Sequence, residues 1–449
     1  MSEVNEKLSA WAECEYGDLL DYIQPNQFIV DSTEYDDEYQ TPVLTAGKSF
    51  IKGYTNEEHG IFEDLPAIIF DDFTTASKYV NFSFKVKSSA MKILVPSCGL
   101  VNLKFVFYLM QANPIRNDTH KRYWISVYAK KALYLPPLNE QNRIVAKIEE
   151  LFSELDKGIE SLKTAREQLK VYRQSVLKHA FEGKLTAQWR EENKDKLETA
   201  EELLERFDCS SPDNALPNGW ITLMFKSVYE ASQNGLSKRS GKTGRSIPVL
   251  RLADITNFNI VKNDLRSILL DEKEETKYSL TNNDLLAIRV NGSPNLVGRM
   301  ILAQDCSGMA YCDHFIRFTF DPSIILPEYA QHYFNTHKAR RYIDLNKVSS
   351  AGQNTVSQAT LGELDIPYCS LEEQKILVKL LSEKFTSIDS ATNEIEEQLQ
   401  KAESLRQSIL KQAFSGRLVA QDPSDEPASV LLERIKAEKD GSKKKRNSV

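Results

Sequence analysis

The chain has 449 residues, 41% of them apolar and 27% charged, and carries a net charge of −7. These values fit a folded protein of about three domains, and no apolar run reaches the roughly 18–20 residues that span a bilayer. The 6 cysteines have no repeating spacing, which excludes a disulfide framework and reads as reduced, cytosolic thiols; Met1 to Ala10 lacks the basic-then-apolar pattern of a signal peptide.

In chain order, residues 1–137 read as a first globular domain. Short apolar runs at Ala67–Phe70 and Met91–Val95, and the alternation Phe82-Ser83-Phe84-Lys85-Val86-Lys87, predict strands; Asn102–Gln111 predicts a covering helix. Its early part is acidic, but Phe73 to Pro137 holds ten Lys or Arg and one acid, Asp118. Local potential of that kind governs phosphate binding more than the whole-chain sum. Residues 138–216 read as a long helix and a linker, the latter Glu/Lys-rich with Ser210-Ser211-Pro212. Ile148, Leu155, Leu162, Leu169 and Val176 recur every seven residues, a narrow stripe that another long helix must bury. A helix from about 140 to 182 would be roughly 65 Å long, unless Gly158 interrupts it.

Residues 217–370 read as a second globular domain with 17 basic and 15 acidic residues. Asp284–Val290 and Phe315–Phe320 predict strands and Pro327–Tyr342 a helix. Residues 371–439 repeat the long helix, with a seam at Leu381, Ile388, Ile395, Ala402 and Ile409. The tail 440–449, with Lys443-Lys444-Lys445-Arg446, reads as basic and disordered.

The two helical stretches are copies. Residues 138–188 align with 371–421 at a constant offset of 233, and 18 of the 51 positions are identical. One copy opens Leu138-Asn139-Glu140-Gln141 and the other Leu371-Glu372-Glu373-Gln374. They close on Arg173-Gln174-Ser175-Val176-Leu177-Lys178-His179-Ala180-Phe181 and Arg406-Gln407-Ser408-Ile409-Leu410-Lys411-Gln412-Ala413-Phe414, each followed by a capping glycine, Gly183 or Gly416. Leu-Leu-Glu-Arg follows each copy, at 203–206 and 431–434. The globular parts repeat more faintly: Pro42-Val43-Leu44 echoes Pro248-Val249-Leu250, and Asp64-Leu65 echoes Asp284-Leu285. Internal duplication accounts for an ungapped match of this length.

The twice-used pattern of Leu-x-Glu-Gln, long helix, and Arg-Gln-Ser-[Val/Ile]-Leu-Lys-x-Ala-Phe-x-Gly-[Lys/Arg]-Leu resembles the specificity subunit of type I restriction–modification systems. Pro42-Val43-Leu44-Thr45-Ala46-Gly47-Lys48 and Gly352-Gln353-Asn354-Thr355-Val356-Ser357 add weaker likeness. The first domain departs from the pattern, with Tyr123-Trp124-Ile125-Ser126 and no Gly-Gln-Asn-Thr stretch. The resemblance implies an α+β fold: two globular α/β-type target-recognition domains separated by two long helices in an antiparallel coiled coil, with an internal pseudo-twofold repeat. It implies a non-catalytic DNA-binding subunit that reads a bipartite site in double-stranded DNA, its half-site spacing set by the coiled coil. The implied partners are two methylation subunits, which modify adenines, and restriction (motor–nuclease) subunits. S-adenosylmethionine, ATP and Mg would belong to those partners.

Candidate DNA contacts in the first domain are Lys48, Thr74, Thr75, Lys78, Tyr79, Arg116, Lys121, Arg122 and Tyr123, where cations mix with an aromatic ring. In the second they are Lys238, Arg239, Lys242, Arg245, Arg289, Asn291, Asn295, Arg299, Gln353 and Asn354. Arg pairs bidentately with guanine, and Asn or Gln with adenine. A coiled-coil scaffold that binds only proteins is the alternative, and the basic stretch 73–137 argues against it. A nucleotide hydrolase built on Gly235-Leu236-Ser237-Lys238-Arg239-Ser240-Gly241-Lys242-Thr243 is a further alternative, but that loop has five residues between the glycines where a phosphate-binding loop needs four. Cys306, Cys312 and His314 match no usual zinc spacing and read as core residues.

Overall fold

A computed structural model describes residues 10–47, 49–114, 122–208, 216–256 and 259–446. The chain divides into two compact units, residues 1–163 with 396–449, and residues 164–395. Two long helices, Leu138–Phe181 and Leu371–Ala413, each begin in one unit and end in the other.

The first unit holds nine strands among its described residues: β1 (Ala12–Glu15), β2 (Leu20–Ile23), β3 (Thr41–Leu44), β4 (Ile51–Thr55), β5 (Ala67–Asp71), β6 (Ser77–Val80), β7 (Lys85–Val86), β8 (Met91–Pro96) and β9 (Ala132–Leu135). They form a β1–β9 pair, a four-stranded sheet β2-β8-β5-β6 and a three-stranded sheet β4-β3-β7 in which β3 and β7 are parallel. The predicted strands at 67–70 and 91–95 are β5 and β8 at the centre of the sheet, where Ile68, Ile69, Ile93 and Leu94 are fully buried. The alternating stretch 82–87 makes only the two-residue β7, with Phe84 bridged to Phe62. The helix predicted at 102–111 forms at Leu103–Ala112, capped by the Asn102 side chain accepting from the Phe105 N–H.

The second unit repeats this plan with β10 (Ile221–Met224), β11 (Ala231–Asn234), β12 (Arg245–Leu250), β13 (Ile255–Thr256), β14 (Asn259–Ile260), β15 (Arg266–Leu270), β16 (Leu285–Ile288), β17 (Val290–Asn291), β18 (Met300–Leu302), β19 (Ala310–Tyr311), β20 (Phe315–Thr319), β21 (Val348–Ser350), β22 (Gln353–Thr355) and β23 (Asp365–Tyr368). The β10–β23 pair corresponds to β1–β9, sheet β11-β20-β16-β18 to β2-β8-β5-β6, and β15-β12-β19 to β4-β3-β7, again with one parallel pairing. The echo of Pro42-Val43-Leu44 in Pro248-Val249-Leu250 is therefore β3 against β12. The second unit adds a hairpin β13–β14 and a small sheet β17-β22-β21. The helix expected over 327–342 is two, Pro327–Tyr333 and His337–Asn346, the second capped by Thr336.

Each long helix is continuous, and Gly158 does not break the first, because a helix of 44 residues outweighs one glycine's cost of roughly 1 kcal/mol. Gly183 and Gly416 end the helical runs at φ +69° and +67°, as C-terminal caps do. The helix starts are fixed alike: the Gln141 amide donates to the Pro136 carbonyl at 2.8 Å, and the Gln374 amide to that of Cys369 at 2.9 Å. The neighbouring glutamates are buried. Glu140 accepts from the Trp11 indole, and Glu373 from the Thr186 hydroxyl and the Arg190 guanidinium.

Pairing of the helices is antiparallel. In the first unit Ile148 and Phe152, near the start of one helix, share a core with Ile409 and Leu410, near the end of the other. In the second unit Val176 and Leu177 share a core with Leu381, Phe385 and Ile388. Of the seam, Ile148, Val176, Leu381, Ile388, Ala402 and Ile409 are buried, and Leu155, Leu162, Leu169 and Ile395 are half-buried. The same lock recurs in both units: Arg406 lies 4.4 Å from the Phe152 ring centroid and pairs with Asp156, and Arg173 lies 4.3 Å from that of Phe385 and pairs with Asp389.

The Leu-Leu-Glu-Arg echoes also occupy matching places. Ala200–Arg206 packs on β10, and Ala428–Arg446 packs on β1, with Leu203, Leu431 and Leu432 in the cores. The latter helix runs to Arg446, through the stretch from 440 that composition predicts to be irregular. Among the described residues no helix is long and apolar enough to cross a membrane.

Candidate nucleic-acid interface

In the first unit, the turn between β5 and β6 projects Phe73 and Thr74 to the surface, with Thr75 in the left-handed region at φ +58°. Asp71 builds this turn by accepting from the Phe73 and Thr74 N–H groups. Buried Asp72 joins it to a neighbouring turn of π-helix, Trp124–Tyr128: its carbonyl accepts from Tyr123 N–H at 3.1 Å and its carboxylate from Trp124 N–H at 2.8 Å. Exposed Arg122 is thereby brought to the same surface as Thr74 and Thr75.

The other candidates of this unit fare differently. Tyr123 is only 7% exposed and belongs to the core, so it is not a stacking surface for a base. Lys78 lines a groove of about 810 Å³ beside Phe107 and Glu149, and half-buried Tyr79 packs on Phe107 beneath the Lys104 ammonium. Lys48, Arg116 and Lys121 lie outside the described residues. Two cations of the basic stretch 73–137 do not reach the surface at all. Lys85 is buried against Glu57 and the His59 carbonyl, and Lys92 against Gln24, with Asp72 at 3.8 Å. Burial, opposed by Asp72, pulls the Lys92 ammonium below its usual pKa.

In the second unit, β21 and β22 form an exposed ribbon whose tip, Ala351-Gly352, has φ +46° and +76°. That geometry suits a two-residue hairpin. Asn354 does not read outward. Its amide donates to the Gly292 carbonyl at 3.1 Å and its oxygen accepts from Ser349, so it ties the ribbon to the loop after β17. Gln353 is exposed and, among the described residues, its side chain makes no hydrogen bond. In the adjoining loop the Asn291 oxygen accepts from Ser293 N–H, and Asn295 is exposed. Arg299 and Arg340 sit beneath that loop, both bonded to the Asn295 carbonyl. Burial pushes both guanidinium pKa values down, that of Arg340 to about 10, with Arg299 adding repulsion. Arg299 is thus a support of the loop, and Asn295 an outward group.

Arg289 links this ribbon to a second cationic cluster. It donates through its side chain to the Asp313 carbonyl and through its backbone to that of His314. Asp313 in turn pairs with Arg239 at 3.0 Å, and Lys238 pairs with Glu274 at 2.6 Å. Lys242 is exposed on the loop before β12, and Arg245, in β12, pairs with Glu275. That loop runs into a strand rather than a helix, so it does not present the helix N-terminus a phosphate-binding loop needs, and Gly241 packs against the Leu269 carbonyl. Cys306 and Cys312 are buried core thiols as expected, but the His314 side chain is 40% exposed. Cys312, Asp313 and His314 lie close enough to share an ion, yet Arg239 already occupies Asp313. The cations that sequence reading missed here are Arg251 and Arg266, which approach Arg239 only because β12 pairs with β15, Val249 opposite Arg266.

Comparison with known proteins places these surfaces in context. Residues 218–402 match the family model described as the type I restriction modification DNA specificity domain. The chain is 34% identical over 323 residues to the type I restriction enzyme StySPI specificity subunit of Salmonella potsdam, covering 70% of this chain and 65% of that relative. The match thus spans just under two thirds of that protein. A longer, weaker match is 23% identity to the EcoDI specificity subunit of Escherichia coli, covering 98% of this chain and 97% of the other. Among solved structures, one described as the structural basis of complex assembly and conformational transition of the type I R-M system shares the fold, with a TM-score of 0.61, 17% identity, and coverage of 91% of this chain and 98% of that one.

Proposed function

We propose that the chain belongs to the DNA specificity subunits of type I restriction–modification systems and that it reads a bipartite DNA site, one half with each unit, while its partners carry out the chemistry. The observation that carries this reading is the duplication. Two units share one strand plan, and each presents exposed cationic and polar side chains, hydroxyls in the first and amides in the second, of the kind that contact phosphates and base edges. In the second unit the ribbon tip with Gln353, the loop with Asn295, and the cations from Arg289 to Lys238 are the reading surface. In the first, the turn at Thr74 and Thr75 with Arg122 takes that role. The small sheet β17-β22-β21 that carries the ribbon has no counterpart among the described residues of the first unit, as suits two readers of different half-sites.

The paired long helices act in this reading as the element that sets the gap between half-sites. Two methylation subunits and the restriction subunits are the partners, and S-adenosylmethionine, ATP and Mg serve in those subunits. The test is a domain exchange. Replacing residues 1–135 with the corresponding part of a relative, and sequencing methylated adenines in cells carrying the assembled system, should change one half-site and leave the other. An exchange that altered both halves, or neither, would refute the division of labour.

A further inference from the structure

Beside the ribbon, a cavity of about 280 Å³ opens between β12, β15 and the chain around Cys312. Lys238, Arg239, Arg251, Arg266 and His314 ring it, Val249 and Ile268 line it, and no carboxylate is among its lining residues. Three of the cations are held by acids placed outside that lining. Lys238 is held by Glu274, Arg239 by Asp313 and Arg251 by Asp254 at 2.8 Å. Arg266 is different. Its guanidinium donates to the Arg239 carbonyl, and among the described residues no acidic side chain pairs with it.

A guanidinium has five N–H donors. Arg239 engages Asp313 through its two terminal nitrogens, and Arg251 engages Asp254 and the Asp264 carbonyl through Nε and one terminal nitrogen. Donors therefore remain on all three arginines around one small space. The carboxylates fix the side chains without filling that space. A cation-ringed, carboxylate-free lining with unengaged donors matches a tetrahedral oxyanion better than a neutral ligand. The wall of the cavity is also bonded to the reading surface, since Arg289 donates to the carbonyls of Asp313 and His314.

We propose that this cavity seats a phosphate group, supplied by the backbone of the DNA whose bases the neighbouring ribbon reads; the inference rests on the DNA-reading assignment above. Such a contact fixes register and carries no sequence information of its own. Arg266 is its central donor.

The experiment uses the full chain assembled with its methylation partner. Affinity for a duplex bearing the recognised site and for a scrambled duplex is measured over a series of salt concentrations, for wild type, Arg266→Ala and Arg266→Lys. Arg266→Ala should weaken both duplexes by the same factor and reduce the slope of log affinity against log salt by about 1, and Arg266→Lys should restore most of that slope. Melting temperature checks that each variant is folded, and the lysine variant keeps the test informative if alanine disturbs the loop. A wild-type slope in a folded Arg266→Ala protein would overturn the proposal, as would a change in preferred bases. Inorganic phosphate separates the sources: saturable stabilisation of wild type by millimolar phosphate, lost in Arg266→Ala while DNA binding is untouched, would assign the cavity to free anions and overturn the DNA contact. If wild type itself shows no preference for the site, the broader reading fails instead.

Discussion

Truncating Arg173 to alanine removes two contacts at once, an ion pair to Asp389 at 2.5 Å and a guanidinium 4.3 Å from the Phe385 ring centroid. The side chains of the pair are 36% and 58% exposed, so solvent screens it and it contributes about 0.2–1 kcal/mol. The cation–ring contact adds about 0.5–1 kcal/mol. The sum, near 1.4 kcal/mol, corresponds to roughly tenfold faster local opening. Hydrogen exchange resolved by peptide suits the measurement, because a chain with two units need not unfold in a single step. Peptides covering 371–390 should exchange about tenfold faster in Arg173→Ala, and those covering 150–160 should not change. Arg406→Ala should give the converse, since Arg406 serves Phe152 and Asp156. A cycle with Asp389→Ala should show coupling of a few tenths of a kcal/mol or more. Strictly additive effects, or faster exchange spread evenly along both helices, would refute the view that these arginines set the helix register.

The buried Glu373 should be more sensitive. Glu373→Ala strands Arg190 and should cost about 3–5 kcal/mol in thermal unfolding, whereas Thr186→Val, which removes a hydroxyl donor, should cost about 1–2 kcal/mol. His332 gives a pH signature. Burial first, and the charge of Arg173 second, hold its pKa at about 4 against an ordinary 6.5, while its ring packs on Phe385. The unfolded chain binds the extra proton between those values. Stability should therefore be complete above pH 6.5 and fall by up to about 3 kcal/mol as pH drops towards 4, a slope that His332→Phe should flatten in urea unfolding.

The long helices were legible because their signal is local and periodic: a seven-residue spacing survives without knowledge of the partner. The faint echoes Pro42/Pro248 and Asp64/Asp284 also marked real equivalences, since central strands keep their apolar pattern. Misreadings arose where long-range packing decides. Tyr123 stands among cations in sequence, but its ring is drawn into the core beside Trp124 and Tyr128. Lys85 and Lys92 count as surface charge in composition, yet acids and carbonyls from residues 24 to 72 bury them. Asn354 looked equivalent to Gln353, and only the approach of Gly292, 62 residues away, assigns its amide a structural bond. Arg266 carried no sequence signal, because its closeness to Arg239 depends on strand register.

The most direct measurement concerns spacing. The boundary between units falls at Lys163/Thr164 and Ile395/Glu396, within one residue of equivalent positions at the offset of 233. Inserting one helical heptad at both points leaves each arginine lock in its own unit and adds roughly 10 Å of helix, about three base pairs of DNA. Sequencing methylated sites should then show the same two half-sites with a gap about three base pairs longer. Unchanged spacing combined with altered half-site bases would contradict the account.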